Sequence, residues 1–124
     1  MYAMKNLENM KMLASHAPEA MTAFVAFDKA ALAGGALSAK VKELMAIAVA
    51  LTTQCPYCIE LHSIKARESG ATESEIAETV LVAAALRAGG AITHGTHACI
   101  PNGCDDNGVD RGGTPPGALV RKTR

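Results

Sequence analysis

Three observations predict an all-α fold, a bundle of about five helices. The 124 residues are 49% hydrophobic but only 3% aromatic, so the core must be built from Ala, Leu, Val, Ile and the six Met residues, a mixture suited to packed helices. Apolar residues recur at helical spacing along most of the chain. Proline, glycine and capping residues punctuate these stretches where helices begin and end. A chain of this length makes one domain with a single core.

The elements follow in order. Residues 4–15 carry Met4, Leu7, Met10 and Leu13 at near-helical spacing, and Pro18 opens a second helix that runs to about Ala33. His16, beside Pro18, is expected in the connecting loop. Gly34-Gly35 should end the second helix by adopting left-handed backbone angles. Ser38 caps a third helix that begins at Ala39 and continues through the run Leu44 to Leu51. That run is apolar all round, so the second half of the helix should be buried. Thr52-Thr53-Gln54 breaks the pattern, Cys55 is the cap residue of a fourth helix, and Pro56 fits its first position. This helix extends to about Ser69, before Gly70, and Thr72-Glu73-Ser74-Glu75 is a capping box for the fifth. Ile76, Val80, Ala83, Ala84 and Leu86 form an apolar face there. Gly89-Gly90 bends but does not end the helix, since Ala91-Ile92-Thr93-His94 resumes the pattern to about His97. From Ala98 the composition turns to Pro, Gly, Asp, Asn and Arg, so residues 1–97 read as the helical domain and 98–124 as a flexible tail.

Twelve basic and twelve acidic residues cancel, leaving no general field to draw in nucleic acid or an anionic membrane. Neither is expected as a partner. The N-terminus lacks the basic and apolar regions of a secretory signal. Leu44 to Leu51, the longest apolar run, falls well short of the about 20 residues a membrane span needs. The expected compartment is the cytoplasm, where a Cys-x-x-Cys serves redox chemistry or metal binding in preference to stapling a fold. No internal repeat or phosphate-binding glycine loop is present.

The chemistry lies in Cys55-Pro56-Tyr57-Cys58-Ile59-Glu60-Leu61-His62. Helical geometry puts positions 55, 58 and 62 on one face, within roughly 60° of each other. The helix N-terminus presents unpaired N–H groups and a partial positive charge, which favour the reactive thiolate. His62, one turn beyond Cys58, can accept or relay its proton. Zinc is the rival reading, but three ligands need a fourth, and no second Cys-x-x-Cys or paired histidine motif lies nearby. Two inert buried cysteines are the blandest alternative.

Glu43-Leu44, then Cys55-x-x-Cys58-x-x-x-His62, then the Gly70-Ala71-Thr72 break and an Ala-rich helix ending Gly90-Ala91-Ile92-Thr93-His94 resemble the AhpD-like (alkylhydroperoxidase D) subgroup of the carboxymuconolactone decarboxylase family. The resemblance covers about residues 18 to 97. It implies an all-α fold, trimers or hexamers, and thiol-dependent reduction of hydroperoxides with electrons from a dithiol such as a lipoylated protein. No cofactor and no bound metal are expected. In the peroxidase members an acidic residue twelve positions before the first cysteine joins both cysteines and the downstream histidine in a proton relay, and Glu43 stands there. Read alone, Glu43 would be a solvated residue alternating with Lys40 and Lys42. Tyr57 stands where the characterised peroxidase has a histidine, and this chain carries one copy of the helical unit.

Within this frame Cys58, one turn from His62, is expected to attack the peroxide, and Cys55, at the cap, to condense with it. Two other functions compete with this reading: the lactone decarboxylation that names the family, which needs no cysteine pair and leaves it unexplained, and a non-catalytic sensor or assembly module whose thiols switch an interface through oxidation. His94, His97, Cys99 and Cys104 match no zinc spacing and read as solvated histidines and incidental thiols.

Overall fold

The computed structural model describes residues 2–99. A short 3-10 segment, Met4–Asn9, leads into helices α1 (Met10–His16), α2 (Pro18–Leu32), α3 (Ala39–Thr53), α4 (Pro56–Glu68) and α5 (Glu73–Cys99). No strand occurs among the described residues. The expected all-α fold is therefore present. Two compact units divide the chain, Met1–Arg87 and Ala88–Arg124. The expected tail lies outside the described residues apart from Ala98 and Cys99, with which α5 ends.

Three local expectations are corrected. The first helix is α-helical only from Met10, because no side chain caps it at Ala3 and no residue of its first half is buried, leaving the tighter i+3 pattern seen at Asn6 N–H to Ala3 O (2.8 Å). His16 closes α1 and does not sit in a loop. The break is the single residue Ala17 (φ −138°), which Pro18 keeps out of helical angles while itself starting α2. Finally, α2 ends with Ala33 in extended backbone (φ −61°, ψ 144°) and not through a left-handed Gly34 or Gly35. Its last carbonyls are capped from α3, where Lys42 Nζ donates to Ala31 O (2.9 Å) and Ala33 O (2.6 Å).

Left-handed residues do end the two helices that matter for the site. Gln54 (φ 58°) closes α3, and Cys55 N–H reaches back to Ala50 O (3.1 Å). Gly70 (φ 88°) closes α4, with Ala71 N–H on Ala66 O (2.9 Å). Both are 6→1 bonds of the Schellman type, which satisfy carbonyls the helix leaves open. The expected caps also form: Ser38 Oγ accepts from Val41 N–H (3.2 Å). Thr72 and Glu75 bond reciprocally, Thr72 N–H to Glu75 Oε2 (2.8 Å) and Glu75 N–H to Thr72 Oγ1 (3.2 Å).

The two-residue connection Gln54-Cys55 folds α4 back on α3, and this pair makes the most extensive helix contact. Its core is small. Glu43, Ile47 and Ala50 of α3, Ala66 of α4 and Ala83 of α5 are buried. The spacing of 43, 47 and 50 is one helical stripe, so α3 is buried on a face, whereas its composition predicted burial all round. Val49, on the other side, is 58% exposed. Around Arg87 and earlier, α5 is tied to the first unit by Lys40–Glu75 (2.7 Å), Arg67–Glu73 (2.6 Å) and a bond from Arg87 to the Thr52 carbonyl. The Lys40 hydrogen bond, helped by Thr72, holds the Glu75 carboxyl below its ordinary range. These are solvent-facing pairs, each contributing little by itself.

Helix α5 also shows what reading uninterrupted apolar runs misses. Small polar residues interrupt it, yet between Glu73 and Ala98 it is long and apolar enough, by length and composition alone, to cross a membrane. Only 6% of its most apolar stretch is buried, and Leu81, Leu86 and Ile92 stand out from it.

Candidate active site

The site is built where α3 ends and α4 begins. Cys55 takes extended angles (φ −95°, ψ 96°) as the N-cap of α4, and its Sγ accepts from Cys58 N–H (3.3 Å). Pro56 at the first position needs no partner for a nitrogen that carries no hydrogen. The cap geometry and the first turn hold the two cysteines with their Cα atoms 5.4 Å apart, and the structure joins them as a disulfide, at a separation normal for one.

One turn on, His62 Nδ1 lies 2.7 Å from Glu43 Oε2. A carboxylate only accepts, so Nδ1 carries the proton of that bond and Nε2 is left as the basic nitrogen. Glu43 is 6% exposed, the buried charged residue among those described. Its position on the same stripe as Ile47 and Ala50 brings it under α4. A carboxylate buried this way is stable only with such a partner, so its burial, its spacing and its bond all point to one use, to orient His62.

Cys58 and His62 both line a cavity of about 250 Å³. Its walls are apolar: Phe27, Ala31 and Leu32 come from α2, and Ala46, Val49 and Ala50 from α3. Asp28 and Thr53 add polar groups. Cys55 does not line it. All four expected site residues are thus brought together, with Cys55 bonded to Cys58, His62 bonded to Glu43, and Cys58 and His62 facing one space.

Tyr57, in the position of the missing relay histidine, packs elsewhere. Its hydroxyl accepts from Asn6 Nδ2 (3.2 Å), and its ring meets Tyr2 edge-on with centroids 4.8 Å apart. Tyr2 in turn donates its hydroxyl to Glu60, a hydrogen bond that pushes the phenol up to about 12. The N-terminal segment is therefore fastened to α4 beside the cysteine pair, by contacts between residues more than fifty positions apart that no sequence pattern announces. His94 and His97 lie in the second unit with ring centroids 6.0 Å apart, and Cys104 is outside the described residues.

Sequence reading missed the α2 wall. The signal is present in the sequence, since 27, 28, 31 and 32 fall on one helical stripe.

Known proteins carry the same helical frame. The model of the carboxymuconolactone decarboxylase family matches residues 18–106. An uncharacterised protein in the cox locus of Paracoccus denitrificans is 50% identical over 76 residues, covering 61% of this chain and 68% of that one. An uncharacterised protein of Cupriavidus necator is 40% identical over 65 residues, which is 52% of this chain and 58% of that one. Among solved structures, a protein from Methanobacterium thermoautotrophicum superposes with a TM-score of 0.67 at 31% identity, over 73% of this chain and 98% of that one. The apo structure of a carboxymuconolactone decarboxylase family protein from Legionella pneumophila gives a TM-score of 0.63 at 36% identity, over 66% of this chain and 73% of its own. The matched region contains α2 to α5 and with them every residue of the cysteine, histidine and glutamate constellation, and on that agreement of sequence and fold the chain belongs to the carboxymuconolactone decarboxylase family.

Proposed function

We propose that the chain is a thiol-dependent peroxidase and disulfide oxidoreductase of the AhpD-like type. The observation that carries this reading is the joint placement of Cys58 and His62 on one apolar cavity, with His62 oriented by buried Glu43 and Cys58 within bonding reach of Cys55. In the reduced enzyme the positive end of α4 favours the Cys58 thiolate, and His62 takes its proton. The thiolate attacks the outer peroxide oxygen, the O–O bond breaks, and the alkoxide leaves as alcohol with the proton that His62 held. Cys58 is now a sulfenic acid. The Cys55 thiol displaces its hydroxyl as water and forms the Cys55–Cys58 disulfide. A dithiol such as a lipoylated protein then reduces the disulfide and is itself oxidised to a cyclic disulfide. This cycle belongs to the cytoplasm, where such dithiols are kept reduced.

Reduced protein mixed with an alkyl hydroperoxide and dihydrolipoamide is expected to turn over many equivalents of peroxide. A single stoichiometric oxidation that dihydrolipoamide cannot reverse would leave a redox sensor and overturn the enzyme.

We also propose that the protein works as a homo-oligomer, a trimer or a hexamer. Phe24, Val25 and Phe27 on α2 and Leu81 and Leu86 on α5 are more than half exposed in the single chain, more apolar surface than a lone soluble subunit usually shows. Light scattering should report at least three subunits at micromolar concentration, and a monomer would refute this.

A further inference from the structure

Asp28 lines the cavity in front of Cys58 and His62, is half-buried, and makes no hydrogen bond or ion pair among the described residues. The other ionisable groups on that cavity are Cys58 and His62, and His62 is already bonded to Glu43. The nearby cation at the end of α2, Lys42, is committed to the Ala31 and Ala33 carbonyls. The remaining lining is apolar but for Thr53, whose hydroxyl donates to the backbone of its own helix at Val49 O (3.0 Å). A carboxylate on an apolar wall acts at a lower effective dielectric than one in open water, so a molecule entering the cavity feels its field more strongly than it would in bulk solvent.

We propose that Asp28 is a specificity-determining residue, a charge filter that admits neutral or cationic molecules to Cys58 and rejects anionic ones. The cavity, at about 250 Å³, has room for about eight water-sized groups. The substrates it selects are compact uncharged organic hydroperoxides, and hydroperoxides bearing a carboxylate are the disfavoured class. The choice of hydroperoxide as the physiological molecule rests on the peroxidase reading, whereas the charge filter itself does not.

The filter can be read without any peroxide. Reduced full-length protein carrying Cys55→Ser is alkylated with neutral iodoacetamide or anionic iodoacetate, and modification at Cys58 is followed by peptide mass spectrometry. In either reaction the thiolate displaces iodide, so the ratio of the two rates cancels the thiolate fraction and reports the charge seen by the reagent. Asp28→Asn is expected to raise the iodoacetate to iodoacetamide ratio about five- to tenfold at low salt, and Asp28→Lys to raise it further. Added salt should raise the ratio of the Asp28 protein more steeply than that of Asp28→Asn, in which only the thiolate's own charge remains to be screened. A ratio unchanged in both variants, or an equal acceleration of both reagents, overturns the proposal. With peroxides, the same variants should gain against a carboxylated hydroperoxide and not against tert-butyl hydroperoxide. If the alkylation ratios shift while no peroxide is consumed, the filter stands and the peroxidase reading fails; if peroxide turns over and the alkylation ratios do not shift, the filter alone fails.

Discussion

A Cys58→Ser variant is expected to lose reaction with hydroperoxide altogether, while Cys55→Ser should still consume one equivalent and stop as a trapped sulfenic acid. The asymmetry follows from the cavity, which opens on Cys58 and His62 but not on Cys55. It also follows from the cap. Cys55 sits where the chain enters α4, in extended backbone, a position suited to reaching an incoming thiol and remote by about two turns from the base. Loss of the attacking thiolate removes the first bond-forming step, so no residual turnover is left to measure. Peroxide consumption and mass spectrometry of dimedone-treated protein distinguish the cases. If Cys58→Ser reacts normally and Cys55→Ser does not, the roles are reversed and the first cysteine is the nucleophile.

His62→Ala should slow sulfenic acid formation by about 100-fold or more, the usual range for a positioned acid-base group, and move the onset of Cys58 reactivity to higher pH. Glu43 should act through His62, as a positioning residue. Glu43→Gln keeps the size and an accepting oxygen, so the fold should survive while the rate falls. In Glu43→Ala the bond at 2.7 Å is lost and His62 Nδ1–H is left in a largely enclosed site, at a cost of about 1–3 kcal/mol in stability. Urea unfolding and single-turnover rates across pH test both. Should Glu43→Gln lower stability without altering the rate or its pH profile, Glu43 is a structural anchor and takes no part in the relay.

The sequence by itself determined the helices and the first turn of chemistry. Capping residues and prolines act within four residues of themselves, so Ser38, Pro56 and the Thr72–Glu75 box marked where α3, α4 and α5 begin. The Cys55, Cys58 and His62 constellation was legible for the same reason, because a helix fixes the angle between positions three and four apart. Glu43 came from resemblance, since nothing in the local sequence separates it from the charged Lys40 and Lys42 around it. What only the tertiary structure decided depends on contacts between elements. Gly34-Gly35 suggests a left-handed glycine end for α2, but the helix ends at the expected place through Ala33 in extended backbone, with Lys42 reaching across from α3 to cap its last carbonyls. The burial of α3 could not be read from composition, since an all-apolar helix has no face until a neighbour chooses one, and α4 chose that of Glu43, Ile47 and Ala50. The α2 wall and Asp28 became part of the site in the same way: helical periodicity says which residues share a stripe, and only packing says what that stripe looks at.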